Sequence, residues 1–90
     1  MRFLSEKIVT AKQHHNCDAS RVFLQSNYGA NDISADDWLT VQACEADNWK
    51  IKPAQEYRKT VYGDMGKIYT FRARLDMDSI CTRYEMYDDD

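Results

Sequence analysis

The sequence predicts a single α+β domain over residues 1–90, in which a small antiparallel sheet packs with two to three helices. Three observations lead to this fold class. Residues 67–75 alternate in polarity as a strand does, residues 34–46 repeat apolar side chains at helical spacing, and a glycine-bounded segment precedes the alternating residues. Ninety residues can bury one modest core and no more.

The sheet is predicted to consist of a β-hairpin and a short N-terminal strand. Residues 55–62 and 67–75 form the hairpin, joined by a four-residue loop with glycine at each end, residues 63–66. In the second strand a mostly apolar face alternates with a largely polar, basic face: Tyr69, Phe71, Ala73 and Leu75 against Ile68, Thr70, Arg72 and Arg74. Residues 7–11, which are rich in β-branched side chains, are the predicted N-terminal strand.

The helix over residues 34–46 has the clearest pattern. Ser34 is its predicted N-cap, and Asp37 takes the reciprocal position three residues later. Trp38, Val41 and Cys44 recur three apart and define its apolar face. Residues 27–32 are a loop by composition, and the acidic tail, residues 88–90, is expected to be flexible.

Two further helices are predicted with less distinct starts. One runs through residues 21–25 and is capped by Asp18 or Ser20. The other covers residues 79–86 and is capped by Asp76 or Asp78.

Charge is unevenly distributed along the chain. The formal net charge of −3 opposes simple binding to nucleic acid, which requires a basic face. Acidic residues concentrate in residues 32–47 and in the tail, whereas residues 50–74 are basic. Intramolecular complementarity explains this division, and so does an acidic surface that competes for a basic surface on a protein partner. The candidate residues for such a surface are Asp36, Asp37, Glu45 and Asp47.

No apolar run is long enough to span a bilayer, and the N-terminus has no signal-peptide core. The expected location is therefore the cytoplasm, where thiols stay reduced. Three widely spaced cysteines do not suggest a disulfide framework. Cys17, Cys44 and Cys81 are interpreted as small buried apolar residues.

The segment QHHNCDAS, residues 13–20, raises the question of a zinc site. Zinc requires four ligands, usually supplied as two closely spaced pairs. His14 or His15 with Cys17 gives one pair, but a good second pair is missing because Cys44 is isolated and Asp78 with Cys81 is a poor one. We therefore favour no metal and no other cofactor; if zinc were bound, its ligands would be His15, Cys17, Asp78 and Cys81.

The same segments resemble a group of short zinc-knuckle proteins encoded by phages and prophages. The pattern of that group is a basic residue, His-x-Cys-x-x-Cys-Gly, Ile-x-x-Gly-x-x-Tyr-x-Arg, Gly-x-x-Tyr-Thr and a closing His-x-x-Cys. Matching positions are Lys12, His15, Cys17, Ile51, Tyr57, Arg58, Gly66, Tyr69, Thr70 and Cys81. Ser20 replaces the second knuckle cysteine, Asp78 replaces the closing histidine and Ala54 replaces a glycine, while the middle helix reads as an insertion. The resemblance implies a former metal site whose place has been taken by apolar packing of Trp38, Leu39 and Trp49.

Catalysis is not expected. Cys17 and the neighbouring histidines lack an orienting third group and an oxyanion hole, and no phosphate-binding glycine loop is present. The resemblance, together with six tyrosines and two tryptophans, favours a non-enzymatic phage-type protein that binds a host or phage protein and inhibits it. A nucleic-acid-handling defence complex, as for anti-CRISPR or anti-restriction proteins, would be a suitable target.

The alternative function is a zinc-knuckle-like module that contacts nucleic acid. It would use the basic face of the hairpin: Lys59, Lys67, Arg72 and Arg74. The oligomeric state stays open, because an exposed hairpin edge can pair with a second copy or be covered by the N-terminal strand.

Overall fold

The computed structural model describes residues 2–87, and their α+β architecture confirms the predicted fold class. The acidic tail and its expected flexibility lie outside these residues. The elements in chain order are β1 (Arg2–Thr10), β2 (His15–Asn16), α1 (Asp18–Gln25), α2 (Ala35–Ala46), β3 (Lys50–Ile51), β4 (Glu56–Asp64), β5 (Lys67–Arg74) and α3 (Leu75–Arg83).

The main sheet has three antiparallel strands in the order β1-β4-β5. Strand β1 begins at Arg2, five residues before the predicted start, and pairs with β4 along almost its whole length, with an irregularity between Phe3 and Ser5. Nearly all side chains of β1 are exposed, so no buried face imposes an alternation of apolar and polar residues on its sequence. Backbone pairing with the long neighbouring strand defines β1 instead.

The hairpin between β4 and β5 turns within two residues, so the predicted four-residue loop was wrong. Only Met65 and Gly66 lie between the strands, with φ angles of 51° and 82°. Positive φ at both central residues is the geometry of a type I′ turn, whose twist matches that of the flanking strands. Gly63 consequently belongs to β4, where it pairs with Ile68.

Helix α2 begins as predicted. The Ser34 hydroxyl accepts a hydrogen bond from the backbone N–H of Asp37 at 3.2 Å, which confirms the N-cap. Helix α1 is capped differently from the prediction, because the Cys17 thiol sulfur accepts from the N–H of Ser20 at 3.4 Å.

Helix α3 begins directly after β5 and therefore starts and ends earlier than predicted. Its capping residue, Arg74, makes no side-chain cap hydrogen bond, and the two aspartates proposed as caps lie within its first turn. Negative charge in this position is favoured by the helix dipole.

A second, two-stranded sheet of β2 and β3 was not predicted. His15 pairs with Ile51 and Asn16 with Lys50, so this ribbon joins the segment before α1 to the segment after α2. Strands of two residues carry no detectable period, and only the tertiary structure reveals them.

The core lies between the helices and the ends of β4 and β5 near α3. All three cysteines are buried and free, as predicted. Trp38 and Trp49 pack against the core only in part, whereas Leu39 is 63% exposed, so the apolar area expected of α2 is smaller than predicted. The buried apolar residues are Ala11, Cys17, Ala19, Phe23, Ile33, Val41, Cys44, Ile51, Tyr57, Ala73, Met77, Ile80 and Cys81.

The sheet presents two different faces. On the helix face, Arg58 of β4 bonds Asp78 of α3, and Phe71 of β5 packs in part against the core. On the other face, which we call the basic face, Lys59 lies opposite Arg72. No helix within residues 2–87 is both long enough and apolar enough to cross a membrane.

Candidate nucleic-acid interface

The four residues named as conditional zinc ligands are not assembled into a site. Asp78 accepts hydrogen bonds from the Arg58 guanidinium at 2.8 and 3.0 Å and from the Tyr87 hydroxyl at 2.7 Å. Its carboxylate is therefore engaged in joining α3 to the sheet. Within the described part of the chain, no group of three or more His, Cys, Asp or Glu side chains could hold a metal ion.

Cys17 has different neighbours from those predicted. The Cys17 sulfur accepts a hydrogen bond from the backbone N–H of Ser20. The hydroxyl oxygen of the same serine lies 3.2 Å from the Cys44 sulfur. Cys44, which is isolated in the sequence, is brought to the start of α1 by helix α2. Burial raises the pKa of the Cys44 thiol, which keeps it protonated at neutral pH.

The acidic residues of α2 and its C-terminus do not form one acidic face. Asp37 is buried and accepts hydrogen bonds from Arg83 and from the Tyr84 hydroxyl, the latter at 2.9 Å. The hydrogen bond from Arg83 is the main reason that the pKa of Asp37 is lowered. Asp37 therefore serves to hold α3 against α2.

Asp47 is also engaged within the molecule. It binds Lys52 at 3.2 Å and Arg74 at 3.1 Å, and its pKa is lowered mainly by the hydrogen bond from Lys52. Asp36 and Glu45 remain exposed, but they are nine positions apart and so lie on about opposite sides of the helix.

The four hairpin cations are likewise divided. Arg74 is buried and paired with Asp47 and Asp76, so it is not available to a ligand. Lys67 lies on the face opposite to Lys59, because side chains alternate along β5 and Lys59 pairs with Arg72. Of these four hairpin cations, Lys59 and Arg72 therefore share one face without an ion pair in residues 2–87, and both are half-buried.

A residue of β1 that was not predicted completes this face. Lys7 pairs with Lys59, which pairs with Arg72, so three cations stand side by side across the three strands. We call these three residues the basic row. Directly opposed side chains lie about 4.5–5.5 Å apart at Cβ, and like charges at this distance repel. Across residues 2–87, none of the three side chains has an ion pair.

The His15 imidazole lies near two cations of the basic row. Its ring is tilted against that of Tyr57, with ring centroids 5.6 Å apart. Burial is the main reason that the pKa of His15 is lowered, and the charges of Arg72 and Lys59 act in the same direction.

The basic row ends in a polar cleft of about 400 Å³ between β5 and the two-stranded ribbon. Residues of β5, of the ribbon and of the start of α1 line this cleft: His14, His15, Asn16, Asp18, Lys50, Thr70 and Arg72.

The distal end of the sheet exposes apolar side chains. It comprises the turn and the strand ends beside it, and we call this region the tip. Met65 is 95% exposed and Ile68 66% exposed. Tyr69, which belongs to the mostly apolar face of the predicted second strand, is also exposed. Two residues at the start of β1 complete the tip: Phe3 and Leu4.

The fold and surfaces define a small α+β protein with one basic sheet face and an apolar tip. Comparison with protein-family models, curated proteins and solved structures gives no match. The resemblance to phage-encoded zinc-knuckle proteins therefore stays a prediction.

Proposed function

We propose that this protein is a non-enzymatic module that binds the phosphate backbone of a nucleic acid through the basic row. The observation that carries this proposal is the alignment of Lys7, Lys59 and Arg72 across three strands without ion pairs in residues 2–87. Such an arrangement costs folding free energy, because like charges are held side by side. A polyanion offsets that repulsion and gains from release of its counterions.

The net charge of −3 does not prevent this binding. Several carboxylates are engaged in ion pairs away from the basic row, among them Asp37, Asp47 and Asp78. Charges farther away than about 8–10 Å are largely screened at physiological salt. The local potential at the basic face therefore decides whether a phosphate backbone approaches.

The test is the salt dependence of binding to a fluorescent oligonucleotide, measured by anisotropy. We expect the Lys59→Gln variant to bind more weakly than the unchanged protein. The magnitude of the slope of log K against log salt should be smaller by about 0.7–0.9, the change expected when one phosphate contact is lost. Lys67→Gln is the matched control, because it removes the same charge from the same hairpin on the opposite face.

Two results would contradict the proposal. One is the absence of binding by the unchanged protein at low salt. The other is an equal effect of both variants, which would mean that overall charge alone determines affinity.

Docking on a protein partner is the second candidate function, and the exposed tip favours it. Monomeric proteins rarely leave a cluster of large apolar side chains uncovered without a binding role. Such a partner would be a host or phage protein, as the resemblance implies, but the contact surface would be the tip instead of α2. The acidic residues of α2 are the less suitable surface because Asp37 and Asp47 are already paired.

Site-specific photo-crosslinking distinguishes these surfaces. We expect a crosslinker placed at Ile68 to give one discrete adduct with a different protein, and a crosslinker at Asp36, which is also exposed, to give none. An adduct from Asp36 alone would favour the acidic helix. An adduct with a second copy of the chain would show self-association through the tip.

A further inference from the structure

We propose that the cleft at the end of the basic row is a binding site for a phosphate group, held by Arg72 together with Lys50 and Thr70. The inference deepens the proposed function and rests on it for the biological source of the phosphate. It names the place where one phosphate is held by defined hydrogen bonds, whereas the basic row provides charge alone.

Arg72 has an unused hydrogen-bond donor. Its Nε is buried, and within residues 2–87 it has no hydrogen-bond partner. A buried guanidinium N–H without an acceptor is destabilising because its desolvation is not compensated. Arg72 also lines the cleft, so an anion bound there, with a small shift of the side chain that opens Nε toward the cleft, would supply the missing acceptor.

Donors outnumber acceptors in the lining of the cleft. Arg72 and Lys50 can only donate, and the Asn16 amide oxygen accepts from Lys50 Nζ, which leaves the amide NH₂ as a further donor. The Thr70 hydroxyl and the imidazoles of His14 and His15 can accept as well as donate. The two cations nevertheless favour a ligand that brings acceptor atoms and negative charge.

Asp18, the carboxylate in the lining of the cleft, is already engaged. Its Oδ2 accepts from the backbone N–H of Arg72 at 2.9 Å, and its Oδ1 lies 3.4 Å from the Arg21 guanidinium. Asp18 thus joins the backbone of Arg72 to α1. One carboxylate that already pairs with Arg21 faces two lining cations, Lys50 and Arg72.

A phosphate group matches these requirements. Its tetrahedral oxygens accept from several directions at once, and arginine binds such oxyanions with strong charge-assisted hydrogen bonds. Free phosphate, a terminal phosphate of an oligonucleotide and an internal phosphodiester share this chemistry. The cleft recognises the group, and its source is decided by experiment.

Inorganic phosphate is the first probe, titrated at constant ionic strength and followed by NMR at the Arg72 Nε–H and the Thr70 amide. We expect saturable binding that Arg72→Gln weakens by about tenfold or more, since charge-assisted hydrogen bonds are lost. Lys67→Gln serves as the matched control and is expected to change the affinity by less than about twofold.

Thr70→Val is the second variant, because it removes a hydroxyl while keeping shape and charge. We expect it to weaken phosphate binding by a few-fold and to leave the salt dependence of oligonucleotide binding unchanged, since that slope counts charges. This variant keeps the inference testable if Arg72→Gln folds poorly.

Two oligonucleotides, one with and one without a 5′-phosphate, identify the source. A preference for the phosphorylated one that disappears in Arg72→Gln supports the inference and assigns a terminal phosphate. Equal competition by both with inorganic phosphate supports the inference and assigns an internal phosphodiester.

The remaining outcomes separate the two proposals. If oligonucleotides bind in a Lys59-dependent manner but phosphate leaves the cleft signals unmoved, the cleft inference is overturned and the proposed function stands. If phosphate binds at Arg72 but no oligonucleotide binds, the proposed function fails and the phosphate site stands.

Discussion

Ser20 illustrates how a single residue changes the chemistry of a buried cluster. Its backbone N–H and hydroxyl contact Cys17 and Cys44, which are 27 positions apart in sequence. A thiol in its place would stand between two other thiols at the start of a helix.

The Ser20→Cys variant is expected to bind Co²⁺ or Zn²⁺, because three neighbouring sulfur atoms are strong ligands for these ions. Thiolate-to-cobalt absorption measures the binding, and adding Cys44→Ser to this variant should remove it. Ser20→Ala, which adds no ligand, is the control.

The unchanged chain, purified without chelators, should carry no zinc in native mass spectrometry. One zinc per chain would contradict this expectation. Folded Ser20→Cys protein without cobalt absorption would contradict the expectation that the three sulfur atoms at positions 17, 20 and 44 can bind one ion.

The start of helix α2 is determined by a hydrogen bond between residues that are three positions apart in the sequence. The Ser34 hydroxyl satisfies the N–H of Asp37, and the Ser34 N–H is in turn bonded by the Tyr84 hydroxyl at 2.9 Å. The cap therefore also connects α2 to the residue that ends α3.

Ser34→Ala is expected to lower the free energy of unfolding by about 1 kcal/mol, the usual cost of losing an N-cap. Urea unfolding followed by circular dichroism measures this change. Ser79→Ala is the matched control: the Ser79 hydroxyl bonds the Leu75 carbonyl at 2.9 Å on an exposed part of α3, where alanine is a good helix former. A loss of stability as large in Ser79→Ala would show that the effect is not due to capping.

At the scale of the whole molecule, Arg58 of β4 joins helix α3 to strand β1. Its guanidinium binds Asp78 of α3 and Glu6 of β1, the latter at 2.8 Å. It also lies 5.6 and 5.8 Å from the ring centroids of Phe71 and Tyr87, within the range of a cation–π interaction. These contacts engage the cation on the helix face. The three cations of the basic row have no ion pair among residues 2–87, in contrast to Arg58.

Much of the fold was predictable because local patterns encode it. The alternation along β5 and the capped, three-spaced face of α2 both reflect which side of an element is buried. Strand β1, the ribbon and the two-residue turn were missed or misplaced, since pairing or backbone angles define them and burial does not.

The candidate site was predictable only in part. Lys59 and Arg72 were named from the alternation of the hairpin, but Lys7 was not, because nothing in residues 2–10 indicates which strand lies beside β4. Arg74 does not belong to the site because it is paired with Asp47 and Asp76, and only the tertiary structure reveals these pairs.

The sequence by itself determined the α+β class, the burial of the cysteines and the basic character of one hairpin face, because these depend on neighbours along the chain. The tertiary structure decided which charges are neutralised and which remain. Asp37 finds its partner Arg83 at a separation of 46 residues, and Lys59 meets Lys7 at a separation of 52. Electrostatic pairing depends on distance in space, which local patterns of residue type do not contain.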